Sequence, residues 1–98
     1  MAKGYWIVTT TITNPAFKEY VEAFQPWVES LGGSVFAKDL DSNTVEGKCG
    51  KLAVIIEFPS KEAAIKAYKR EDYQELSKLR WANSIDTNIT IMDGSVDH

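Results

Sequence analysis

Few side chains in this chain have the right type and placement to do chemistry, and Arg80 is the first of them. It follows Leu76 and Leu79 on an amphipathic stretch, so it is expected to project toward the interior. A guanidinium there has two uses. It can pair bidentately with Glu46 or Glu57, or it can hold the carboxylate of a ligand. Tyr20 and Tyr68 fall on the interior sides of two helical stretches, and a buried phenol needs a hydrogen-bond partner. Tyr20, Glu46, Tyr68, Tyr73 and Arg80 are therefore the candidates for the polar lining of a pocket. The plainer reading is a filled core with tyrosine tips at its rim. No catalytic residue is assigned.

Cys49 lies near Lys48 and Lys51, and positive charge lowers a thiol pKa. A nucleophile also wants a base, and the single histidine, His98, is the last residue. One histidine and one cysteine cannot make a standard zinc site, and haem would want an internal histidine. No Gly-rich phosphate loop, nucleophile elbow or His-Glu-x-x-His is present. Neither metal nor cofactor is expected.

These residues must be positioned by regular elements. Residues 5–12 (YWIVTTTI) are β-branched and aromatic throughout and read as a strand. Asn14 and Pro15 suit a helix start. Phe17, Tyr20, Val21, Phe24, Val28 and Leu31 then recur at helical spacing, with a kink expected near Pro26 and a stop at Gly32-Gly33. Residues 34–40 read as a second strand, residues 44–48 as a further extended piece, and residues 51–58 as a third strand. Ser60 caps a second helix. Asp72 with Glu75 resembles a capping box, so a new helix carries Tyr73, Leu76 and Leu79. Residues 88–92 form the last strand, and a tail begins near residue 94. The order β-α-β-β-α-β, with its second helix broken in two, is the ferredoxin-like α+β arrangement: a four-stranded antiparallel sheet with its helices on one face. Residues 1–98 are read as one such domain.

Both faces of that sheet would be apolar. Leu52, Val54, Ile56 and Phe58 alternate with Ala53, Ile55 and Glu57, and Trp6 and Val8 with Tyr5 and Ile7. The helices cover one face only. A second copy is the natural cover for the other, giving a homodimer with a two-fold axis through the helix-free face, an eight-stranded α+β barrel.

A hydrophobic content of 44% and a charged content of 26% exclude a disordered chain. The net charge of −3 gives no basic excess with which to hold nucleic acid. No stretch approaches the roughly 18 apolar residues of a membrane span or the roughly 7–15 of a signal peptide. One cysteine makes no internal disulfide, and the expected location is the cytoplasm.

Several local motifs occur together here. Gly4-Tyr5-Trp6-Ile7-Val8, Val45-Glu46-Gly47, Ile56-Glu57-Phe58-Pro59-Ser60, Ala63-Ala64, Tyr68, Asp72-Tyr73-Gln74 and Leu79-Arg80 follow in order. Together they resemble the family called domain of unknown function 1330, from about residue 4 to residue 94. The resemblance implies a small bacterial protein of the dimeric α+β-barrel type and implies no activity. The chain departs from the family at Lys48-Cys49-Gly50, where a Trp and a basic-Pro pair are common. It departs again at Arg70-Glu71-Asp72-Tyr73, where Ser-Pro-Glu-Tyr is usual. Three functions are compatible with these features. The first is binding of a small organic ligand between helices and sheet. The second is cofactor-free enzymology on a small molecule, monooxygenase-like or related. The third is a non-catalytic stress-related or structural module. Whether the protein is an enzyme is not decided by its residues.

Overall fold

The computed structural model describes residues 2–96. Its elements follow in the order β1 (Gly4–Ile12), α1 (Phe17–Ser30), β2 (Ser34–Asp39), β3 (Leu52–Phe58), α2 (Lys61–Lys69), α3 (Glu71–Asn83) and β4 (Ser84–Asp93). The four strands form one sheet in the order β2-β3-β1-β4. Each neighbouring pair is antiparallel, with Trp6 opposite Ile56 and Ile91, and Val35 opposite Ile56. This is the ferredoxin-like α+β arrangement.

Period-two alternation sorts the sheet residues. Trp6, Leu52, Ile56 and Phe58 join Phe17, Tyr20, Phe24, Val28, Ala64, Ala67 and Tyr73 in one buried cluster. All three helices therefore lie on the same face. Tyr5, Ile7, Ala53 and Ile55 point the other way and are half-buried. The interior is organised around Trp6. Its indole N–H donates to the Ala64 carbonyl at 2.9 Å, and its ring meets those of Phe58, Tyr73 and Tyr68 at 5.0, 5.1 and 5.8 Å.

Several local expectations are corrected. Asn14 does not cap α1 directly. Its side chain accepts the Ala16 N–H at 2.9 Å in a turn, and the helix starts at Phe17. Pro26 lies inside α1, which runs through it. The carbonyl of Glu22, which loses its helical donor there, belongs to an exposed residue that water can reach. Ser60 caps α2 as expected, accepting the Ala63 N–H at 3.1 Å. Asp72 makes no capping box. It sits in the first turn of α3 and takes two hydrogen bonds from Arg70, each 3.0 Å. That fork lowers the pKa of the Asp72 carboxyl. Residues 44–48 form no strand: Val45 is 87% exposed, and β3 already has β1 and β2 on its two sides. The last strand begins at Ser84, earlier than residue 88, immediately after α3.

Candidate functional site

A cavity of about 590 Å³ lies between α1 and the sheet. Its origin is a difference in how the helices sit. Helix α1 packs most closely against α3 and β2, whereas α2 lies over β1, β3 and β4. The N-terminal half of α1 thus stands off the central strands, and its side chains only partly fill the gap. Phe17, Tyr20, Val21 and Phe24 form the roof, and Val8, Leu52, Val54 and Ile56 form the floor. Arg80 and Tyr73 close it from α3, and Lys18 and Lys38 also line it. Its volume falls within the range of small-molecule sites.

Arg80 is the unusual member. It is 5% exposed, and its Nε is buried without a hydrogen-bond partner. No carboxylate pairs with it among the described residues. The Trp81 ring centre lies 5.7 Å from its Cζ. The Tyr20 hydroxyl shares a 2.9 Å hydrogen bond with the Tyr73 hydroxyl. Burial raises the Tyr20 pKa strongly, and Tyr73 raises it further. Proximity to the Arg80 guanidinium opposes the rise without cancelling it, so Tyr20 stays a neutral phenol. Thr10 also lines the cavity, but its hydroxyl is already engaged by Thr87 at 2.6 Å and the Ile85 carbonyl at 3.2 Å.

Of the five candidate lining residues, the fold brings Tyr20, Tyr73 and Arg80 together around this cavity. Tyr68 meets Trp6 edge to face and Tyr73 at a tilt, and it faces a neighbouring hollow of about 490 Å³, which also borders Arg80, Trp81 and Asp86. Glu46 is exposed on the loop between β2 and β3 and lines neither space. Glu57 lies on the helix-free face, where it accepts a hydrogen bond from the Tyr5 hydroxyl at 3.0 Å. That bond raises the pKa of Tyr5. The pairing of Arg80 with Glu46 or Glu57 is therefore not made. Cys49 is a free, exposed thiol outside the cavity. His98 lies outside the described residues.

Lys18, Lys38 and Thr10 escaped the sequence reading. Lys38 is the instructive one. A register shift between Val35 and Ala37 places Lys38 opposite the inward-facing Val54. Simple alternation from Val35 would have sent it outward. Among the described residues no three His, Cys, Asp or Glu side chains are grouped so as to hold a metal ion. Among the described residues no helix is long and apolar enough to cross a membrane.

Comparison with known proteins places the fold firmly and the activity not at all. A protein of unknown function from Rhodopseudomonas palustris is 19% identical, superposes with a TM-score of 0.73, and aligns over 99% of this chain and 85% of its own. A Nitrosomonas europaea protein provisionally described as an antibiotic biosynthesis monooxygenase is 12% identical, with a TM-score of 0.66, over 97% and 92% of the two chains. A dimeric protein of unknown function and ferredoxin-like fold from Bacteroides fragilis is 11% identical, with a TM-score of 0.54, over 93% and 95%. None of the curated proteins matches. At the level of sequence, the family model described as Domain of unknown function (DUF1330) matches residues 3–95, and the chain belongs to that family.

Proposed function

We propose that this protein binds a small organic molecule in the cavity between α1 and the sheet, and that it does so as a cytoplasmic homodimer. The observation that carries the reading is the cavity itself: about 590 Å³, walled by aromatic and aliphatic side chains, with Arg80, Tyr20 and Tyr73 converging on it. An apolar space with a few convergent polar groups is the usual form of a ligand site. The dimer follows from the uncovered sheet face, where Tyr5, Ile7, Ala53 and Ile55 are half-buried with no helix over them. A structural neighbour described as dimeric has the same fold. The exposed free thiol of Cys49 suits a reducing compartment.

Thermal melts with a panel of small aromatic acids, phenols and quinones test this reading. At least one class should raise the melting temperature, as ligands of the native state do. Val21→Trp, which fills the cavity, should abolish the rise. A wild-type protein whose melting is indifferent to the whole panel would overturn it.

The neighbour described as a monooxygenase supports a second reading, cofactor-free turnover in the same cavity. Oxygen uptake by the protein with a bound panel compound would favour turnover, and its absence would leave binding alone.

A further inference from the structure

We propose that the cavity is built for an anion: an amphipathic molecule whose single oxyanion head lies between Arg80 and the Tyr20–Tyr73 pair, with its apolar body along Val21, Leu52 and Val54. This rests on the reading that the cavity takes a ligand and adds what kind. Three observations carry it.

The first is charge. Lys18, Lys38 and Arg80 all line the cavity, and no Asp or Glu lines it among the described residues. The whole chain nevertheless carries a net charge of −3. Of the two lysines, Lys18 has a loose partner, Glu22 at 3.9 Å on the exposed side of α1. Both lysines are exposed at the cavity's rim and Arg80 is buried in its wall, so the lining holds cations and no carboxylate, which favours an anionic ligand over a cationic one.

The second is the state of Arg80. It is 95% buried by its exposure of 5%, its Nε has no partner, and no ion pair answers its charge among the described residues. A buried cation without a counter-charge is costly, and an oxyanion in its fork offsets that cost. Asp86 borders the adjoining hollow that Arg80 also borders, but it is exposed and forms no ion pair with it.

The third is hydrogen-bond bookkeeping. Two phenols sharing one hydrogen bond use one of their two O–H groups, so the Tyr20–Tyr73 pair keeps one to offer. The Thr10 hydroxyl is already engaged. What remains beside Arg80 is one phenolic O–H and the unpartnered Nε–H of the guanidinium, donors that a carboxylate or phenolate oxygen can accept from.

The test is a matched pair of probes, 2-naphthoate and 2-naphthamide, titrated into the protein by NMR. They share a ring system and differ in the charge of the head. Naphthoate should bind roughly tenfold tighter or more, shifting resonances of α1 and β3. Arg80→Met should erase that preference, bringing the naphthoate affinity down to that of the amide. The unliganded variant should melt no lower than the wild type, because no carboxylate partner is lost. Equal affinities in the wild type, a comparison that needs no variant, would overturn the anion proposal and leave ligand binding standing. So would an undiminished preference in Arg80→Met. If neither probe shifts cavity resonances at millimolar concentration, the ligand-binding reading fails and the proposal falls with it.

Discussion

The Tyr20 and Tyr73 hydroxyls are held by each other. Tyr73 is fully buried and Tyr20 nearly so, and they meet at 2.9 Å. Removing one oxygen leaves the other buried without its partner, which costs about 1–3 kcal/mol. Removing both leaves nothing unsatisfied. Tyr20→Phe and Tyr73→Phe should therefore each lower stability in urea unfolding by about 1 kcal/mol or more, and the double variant should lose less than the sum. Strict additivity would mean that the two hydroxyls do not depend on each other. The same pair explains why Tyr20 is a poor base. Burial and its neighbour both hold the proton on the phenol, so it serves as a donor across the physiological range.

The stand-off of α1 and the phase of the strands decide what the cavity contains. The shift at Val35/Ala37 turns Lys38 to the helix-side face, exposed at the cavity's rim, and a second shift at Thr9/Thr11 on the β1–β4 side accompanies Asp86, whose φ of 55° is left-handed. The loop between β2 and β3 is pinned at its neck, where the Ser42 N–H and hydroxyl both donate to the Lys51 carbonyl, at 2.9 and 2.7 Å. Gly50 brings that loop against β1. A Cβ there would lie 2.0 Å from the Thr10 carbonyl oxygen. The oxygen is backbone and a Cβ is held rigidly to its own backbone, so one chain segment would have to move. Gly50→Ala should cost about 2 kcal/mol or more, read as a lower urea midpoint. An unchanged midpoint would show that the loop does not depend on this approach.

For the molecule as a whole, the open question is the face that no helix covers. Tyr5, Ile7, Ala53 and Ile55 make it apolar at its centre, and Phe36 and Met92 are exposed toward its two edges. The proposed two-fold dimer would bury it, and light scattering should then give about twice the 11.0 kDa chain mass. Ile55→Lys places an ammonium at the centre of that interface, where an unpaired buried charge costs several kcal/mol. The variant should run as a monomer or precipitate. A dimer of unchanged melting temperature would place the interface elsewhere.

Much of this was determined by the sequence alone, and the reason is periodicity. The stripe Phe17, Tyr20, Phe24 and Val28 and the alternation Leu52, Val54, Ile56 and Phe58 each select a face within a single element, and those faces are the ones that became buried. The order of elements followed, and with it the ferredoxin-like fold. The inward course of Arg80 was legible in the same way. What only the tertiary structure decided depends on relations between elements. How far α1 stands from the sheet makes the cavity. A bulge of one residue reverses Lys38. The sheet places Glu57 on the face opposite the helices, and the loop carries Glu46 into solvent, so neither meets Arg80. A residue's neighbours within its own element are written in its spacing, whereas its partner across the core depends on distances that spacing does not contain.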